Sequence, residues 1–384
     1  MSMTVPSDRM VWLDALRLIA GISMVGLHGS TDANGQPFPD ASPPERLGPL
    51  VFRMIIYTAR TELFLIISIF LLLMALERRP RGYFETLKEQ ARRLLIPFAF
   101  WTVFYALYSL IKAYSYGYQD AIFNDLQSVS AWLGYFVLGD VKYHMHFIQT
   151  LFALLLFYPL FLVAVKYPFL GLLVLICLAT KREADVYLWS NLQNKNGFDY
   201  ILRFVKVLTY CGYGLIAGAF WGIYKKRDTF TYLNDWFVLI CYLAVLLLGI
   251  KIIYTHNVAI TGEWQHNFTP AFWADFVMPA LLFAALMLNA HRTWPPIISS
   301  LAPYSFGIYL CHPIFLDLFE SLIRNVQLLP SLYVCAKVCF ALFFTFLLVF
   351  CIKRTPFLAW TIGLGKIPFF EGATKRHDPK TSIH

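Results

Sequence analysis

The feature that most constrains this chain is a series of ten apolar runs, at about residues 10–28, 51–76, 94–115, 147–165, 168–180, 203–224, 236–254, 271–290, 301–321 and 331–352. Most are close to the roughly 20 residues that an α-helix needs to cross a bilayer. In lipid a segment must satisfy its own backbone hydrogen bonds, which leaves helices and closed barrels. The runs are continuous rather than alternating, so they read as helices. The sequence predicts an all-α, polytopic transmembrane bundle of about ten spanning helices. The run at 168–180 is short and directly follows Lys166-Tyr167-Pro168; a fused or broken helix there changes the count. The first run lacks the basic leader and small-residue cleavage pattern of a signal peptide and is read as the first span. Composition agrees: 58% of the 384 residues are hydrophobic and 14% charged, against about 45–50% and 25% in soluble domains.

The loops suggest an orientation. Residues 77–93, "ERRPRGYFETLKEQARR", hold six Lys/Arg, "YKKRD" (224–228) holds three, and the stretch after Ile352 holds six. With ten spans these fall on one side, while 29–50 and 116–146 are poor in Lys/Arg; loop 181–202, with Lys181, Arg182 and Lys195, is a mild exception. Basic loops stay in the cytoplasm, so both termini are predicted cytoplasmic. The net charge of +9 is thereby a matter of topology. No separate basic domain with interleaved aromatics is visible, so nucleic acid is not an expected partner; the lipid bilayer is. Two domains are expected: a membrane domain over 1–353, and a basic cytoplasmic tail over 354–384 that starts as an interfacial segment and continues without fixed structure. The seven cysteines all lie in apolar segments without C-x-x-C spacing, so no metal site and no disulfide framework is predicted.

Against this background the stretch "WLDALRLIAGISMVGLHGS" (12–30) is anomalous, because it carries Asp14, Arg17 and His28. Each ionisable group in hydrocarbon costs several kcal/mol, about 3 on insertion scales. At 100° per residue Arg17 and His28 differ by only about 20°, with Asp14 about 40° from His28 on the other side, so all three share one face. Arg17 and His28 lie about 16 Å apart along the axis. One face of the first helix thus carries a polar line through much of the membrane. A plainer arrangement fits the same spacing: Asp14 and Arg17, three apart, form a pair that anchors the helix end, with His28 at the interface.

Further polar residues recur inside the spans. The second apolar segment carries Arg53, Arg60 and Glu62, the last two able to pair structurally. The fourth opens with "KYHMHFIQTLF", placing His144 and His146 near the outer boundary, where they can join His28 or serve as structural histidines. In "APYSFGIYLCHPIFLDLFE" Ser305 and His312 are seven apart on one face beside Tyr309, and Pro313 frees a carbonyl. Gly212, Gly214, Gly218 and Gly222 read as helix-packing positions. No Walker A loop, dinucleotide-binding glycine pattern or H-E-x-x-H is present.

"LDALRLIAGISMVGLH", with Arg17 and then His28 after ten residues, resembles the first-helix signature of the acyltransferase-3 family of integral membrane O-acyltransferases. "LKEQARRLLIPFAFW" (87–101), "YHMHFIQTLFALLLFYPLF" and "YSFGIYLCHP" (304–313) resemble later motifs of that family in the same order, and the resemblance covers about 1–350. Two positions depart from it. Ser68 is kept in the second segment but Ile69 stands where the family has Gly, and His146 stands where it has Trp. The resemblance implies transfer of an acetyl or succinyl group from cytoplasmic acyl-CoA to a hydroxyl of an exported or envelope polysaccharide or a glycoside, in a bacterial inner membrane, with no bound cofactor. Polysaccharide synthesis or export machinery is an implied partner. The extracytoplasmic SGNH-type domain of some members is not seen in these residues.

On that reading His28 is the general base or a transient acyl carrier, between which the residues do not choose. Arg17 binds a donor anion and Asp14 orients it. Arg60, Glu62, His144 and His146 line the acceptor side, and Ser305, Tyr309 and His312 the donor path. Two other classes fit the intramembrane charges: a transporter or flippase for a polar solute, and a non-catalytic subunit of a polysaccharide export system. No paired interrupted helices in corresponding halves speak for the transporter.

Overall fold

The structure is a computed structural model and describes residues 10–227, 233–265 and 268–367. Among these the regular structure is helical throughout, without strands. The helices are α1 (Val11–Gly29), α2 (Pro43–Ile56), α3 (Thr61–Arg78), α4 (Tyr83–Tyr116), α5 (Gln119–Gln127), α6 (Val129–Val137), α7 (His146–Leu155), α8 (Tyr158–Lys166), α9 (Leu173–Leu192), α10 (Phe198–Lys225), α11 (Leu233–Thr261), α12 (Thr269–Leu288), α13 (Pro296–Leu301), α14 (Ser305–Leu322) and α15 (Pro330–Arg354).

Seven helical stretches among the described residues are long and apolar enough to span a membrane, or eight if the pair α7 and α8, bent by 63°, counts as one span. The chain is a multi-pass membrane protein. Each of the ten apolar segments falls on helical backbone, but by length and hydropathy α9 and α14 are not among the spans. Both carry charges: Lys181 pairs with Asp185 in α9, and Asp317 and Glu320 of α14 pair with lysines.

α9 extends well past the apolar segment that announces it. The sequence predicts a loop from 181; the helix instead runs on to Leu192. Lys181 is buried, pairs with Asp185 one turn on at 2.5 Å, and lies over the Tyr210 and Phe276 rings. The charge is satisfied locally, so it does not end the helix. Likewise α4 starts in the basic stretch, at Tyr83, and 116–146 contains α5 and α6 rather than loop alone. The second apolar segment is interrupted: a 3-10 turn at Tyr57–Ala59 and extended backbone at Arg60 separate α2 from α3.

Burial shows how the bundle is arranged. In α1, 67% of the spanning window is buried, whereas in α11 only 6% is. α1 is therefore central, and α11 presents apolar side chains such as Leu239, Val245 and Ile252 outward, as expected of a surface that meets lipid. α1 and α14 run parallel: a Cβ on Gly21 would lie 3.4 Å from Ser305, and one on Gly29 3.4 Å from Leu316. α15 packs antiparallel to them, with Val349 against Gly307 and Val338 against Gly29. The N-terminal end of α1 and the C-terminal end of α15 thus lie at the same end of the bundle. The four α10 glycines do serve as packing positions: a Cβ at Gly214 would collide with the Phe161 ring, at Gly218 with the Phe161 carbonyl, at Gly222 with the Val165 carbonyl and at Gly212 with Val174.

Of the segment after α15, Ala359–Ile362 form a 3-10 turn docked on α4, where Trp101 Nε1 donates to the Thr361 carbonyl at 2.8 Å. Residues from 368 onward lie outside those described. All seven cysteines are free thiols.

Candidate active site

Pro313 organises the site. It has no N–H to give to the Tyr309 carbonyl one turn earlier. His312 takes up that carbonyl: its Nδ1 lies 2.7 Å from the Tyr309 oxygen. A carbonyl only accepts, so Nδ1 carries the hydrogen and Nε2 is left with its lone pair. His312 is fully buried, and Nε2 has no partner among the described residues. The residue before a proline thereby acquires a defined tautomer.

Two further imidazoles meet this one. His28, in the last turn of α1, stacks on His312 with ring centres 5.5 Å apart and planes at 21°. His144, in the turn before α7, lies 5.3 Å from His312 at a steep angle. His28 Nε2 and both ring nitrogens of His144 are buried without a hydrogen-bond partner. Buried polar atoms are nearly always partnered, so this many orphaned nitrogens in one place mark the cluster as a candidate site. The ring spacings exceed 5 Å, and among the described residues no His/Cys/Asp/Glu group could hold a metal ion.

The surrounding shell is aromatic. Tyr143 lies 4.2 Å from His28, Tyr309 donates its hydroxyl to the His144 carbonyl, and Tyr105 packs edge-on to His144. Phe64 of α3 rests on Tyr309 and Phe147. Tyr105 and Tyr108 of α4 donate to the α14 carbonyls of Leu310 and Ile314. α4 thereby braces α14 on either side of its proline.

Below His312 along α14 lies a network that the sequence reading missed. Asp317 pairs with Lys142 at 2.5 Å and Lys112 at 3.2 Å; Glu320 pairs with Lys112 at 2.5 Å and Lys337 at 2.6 Å. Lys337 also donates to the Thr31 carbonyl at 3.1 Å. These bonds join α4, α14, α15, the turn before α7 and the end of α1. Lys112 and Lys337 inside apolar runs were a legible signal, as were Asp317 and Glu320 inside the His-Pro stretch, but their partners lie up to 306 residues apart.

The remaining candidates divide. Asp14 and Arg17 stand at the opposite end of α1 as an i,i+3 ion pair at 3.7 Å, the arrangement that the anchoring alternative describes. Ser305 is buried against Gly21, between Arg17 and His28 along α1. Arg60 and Glu62 do pair, with Nε 2.9 Å from Oε2, and Tyr210 donates to Glu62 Oε1 at 2.7 Å. Arg60 belongs to the wall of a cavity of about 340 Å³ between α2, α11 and α12. His146 is held by Nδ1 on the Tyr143 carbonyl at 2.7 Å, and among the described residues no ring contact joins it to the other three histidines. The structure thus gathers His28, His144, Tyr309 and His312, sets Ser305 on the way to Arg17, and leaves Arg60, Glu62 and His146 at the margin.

Compared with known families, residues 10–350 match the model described as an acyltransferase domain. No curated protein and no solved structure matches the chain.

Proposed function

Because the chain belongs to the acyltransferase-3 family and is a membrane acyltransferase, we propose that it moves an acetyl or succinyl group from cytoplasmic acyl-CoA to a hydroxyl of an exported or envelope polysaccharide. The proposed setting is a bacterial inner membrane, with both termini cytoplasmic and the His28 end of α1 outward. The observation that carries this reading is His28: an imidazole whose Nε2 is buried and unpartnered among the described residues, at the far end of the same helix face as Arg17.

In this proposal the CoA phosphates are held at the Arg17 end and the thioester reaches along α1 toward His28, a separation of about 16 Å. His28 takes the proton of the sugar hydroxyl as its oxygen attacks the thioester carbonyl. The tetrahedral intermediate collapses with loss of the CoA thiolate, which takes that proton, leaving a sugar ester and free CoA. Imidazole suits the task because its ordinary pKa of about 6.5 lets it accept and return a proton near neutrality. A second route is favoured by the stacking of His312 on His28. His28 attacks the thioester first, expels the CoA thiolate and carries the acyl group; His312 or His144 then takes the proton of the sugar hydroxyl as its oxygen attacks the acyl-imidazole, His28 leaves, and the proton passes to the thiolate. Ser305 and Tyr309 line the path of the donor; Arg60, Glu62 and His146 flank the acceptor. No bound cofactor is required, and polysaccharide synthesis or export machinery would supply the acceptor.

The test compares glycans from cells with and without the protein by proton NMR and mass spectrometry, with His28→Ala complementation. Loss of an O-acyl signal in the deletion, not restored by His28→Ala at normal protein level, is expected. Full restoration by His28→Ala would exclude both routes. An unchanged acyl profile in the deletion would favour a transporter, which a solute-uptake assay in vesicles would then detect.

A further inference from the structure

We infer that the cavity lined by Arg53, whose guanidinium bonds to Leu27 and Ser30 on either side of His28 in sequence, is a recognition site for a carboxylate carried by one of the substrates, an inference that rests on the acyltransferase reading above. Its volume, about 340 Å³, is at the small end of the roughly 300–1,000 Å³ typical of ligand sites. That suits a sugar ring or a short acyl chain and not a whole coenzyme.

Its charge is unbalanced. Arg53, Arg60 and Lys251 line it, with Asp275 the one acidic residue in the wall. Lys251 is matched by Asp275 at 2.8 Å, and Arg60 by Glu62 at 2.9 Å. Arg53 has no carboxylate partner among the described residues. Its Nη1 donates to the Leu27 carbonyl at 2.8 Å and to the Ser30 hydroxyl at 3.1 Å. The guanidinium lies over the Trp264 ring at 4.7 Å and the Tyr57 ring at 5.2 Å. Nε and Nη2 make no hydrogen bond to the described residues. A guanidinium presents five donors in a planar fork that matches a carboxylate, and here part of the fork is left over, facing a space with aromatic walls.

Position ties the cavity to the chemistry. Leu27, whose carbonyl holds Arg53, immediately precedes His28. Trp264, which lines the cavity beside Arg53, is held by its Nε1 on the Gly35 carbonyl at 3.1 Å, in the loop that follows α1. A carboxylate on Arg53 would therefore sit next to the acyl-transfer site. Two sources have this chemistry: a uronate in the acceptor glycan, and the far carboxylate of a succinyl donor.

Equilibrium dialysis on the purified full-length protein in detergent tests the inference, with glucuronate, monomethyl succinate and glucose as probes. The native protein should bind one of the anions at least tenfold more tightly than glucose, about the worth of one charge-assisted hydrogen bond. Arg53→Gln should abolish that preference. Arg53→Lys keeps the positive charge but gives up the planar fork, so it should weaken the preference. This second variant decides the matter if Arg53→Gln does not fold. Preference for glucuronate assigns the carboxylate to the acceptor, and preference for monomethyl succinate alone assigns it to the donor. Equal binding of all three probes, or a preference that neither variant changes, would overturn the inference. Binding is read without acyl transfer, so the two failures separate. An Arg53-dependent preference with no acyl change in the glycans keeps the site and removes the enzyme reading. An acyl signal lost with His28→Ala but no anion preference does the reverse.

Discussion

Replacing Glu320 with Gln tests whether the buried charges near His28 act as one network. Lys337 is wholly buried and touches two acceptors, Glu320 Oε1 at 2.6 Å and the Thr31 carbonyl at 3.1 Å. In the native network three ammoniums (Lys112, Lys142, Lys337) face two carboxylates (Asp317, Glu320). Glu320→Gln leaves three against one, and Lys337 loses its carboxylate partner. Breaking a buried pair from one side costs about 3–5 kcal/mol, because the other charge is stranded. Lys337→Met acts differently. It leaves two ammoniums with two carboxylates, since Glu320 keeps Lys112, and an apolar chain of similar length fills the space. The change gives up the bonds to Glu320 and the Thr31 carbonyl and strands no ammonium, at a cost of about 1–3 kcal/mol. The double variant removes the stranded charge and should recover about 2–3 kcal/mol relative to the sum of the singles. The measurement is the unfolding midpoint of full-length protein titrated with SDS in mixed micelles. Strictly additive losses would show that Lys337 and Glu320 do not interact as drawn. An unchanged midpoint in Glu320→Gln would show that water reaches and screens the site.

Other consequences are simpler to state. His28→Ala should lower transfer by about 10²–10⁴-fold, the usual worth of a general base, read as O-acyl content of the glycan per unit of enzyme. Tyr309→Phe removes the hydroxyl that holds the His144 carbonyl; it should cost about 1–3 kcal/mol and lower kcat more than it raises KM for the donor. Gly214→Leu should prevent stable assembly because its side chain must enter the Phe161 ring, and Phe161→Ala in the same chain should recover part of the yield in size-exclusion chromatography. Arg17→Gln should raise the KM for acyl-CoA at least tenfold if the donor phosphates bind there, whereas an unchanged KM with lower expression would mark the Asp14–Arg17 pair as an anchor only.

Much of the architecture is local, and so it was legible. Continuous apolar runs dictate helices because lipid offers no other partner for the backbone, and each run does fall on helical backbone. The 100° rotation per residue aligns Arg17 with His28 whatever surrounds them. Arg60 and Glu62 pair across two residues, and the α10 glycines mark close approach without naming the neighbour. The helix boundaries were less legible where charge was mistaken for loop: Lys181 stays inside α9 because Asp185, Tyr210 and Phe276 receive it.

What only the tertiary structure decided is who meets whom. Pro313 announces a freed carbonyl, but only the packing of α1 beside α14 brings the His28 ring onto His312. The Lys112–Asp317 and Lys337–Thr31 contacts span 205 and 306 residues, and the cavity at Arg53 is closed by Trp264 from a distant loop. Such contacts depend on how rigid helices pack in three dimensions, which no periodicity along the chain encodes. The sequence by itself determined that this protein is a helical membrane domain with a polar line on its first helix; packing turned that line into a site.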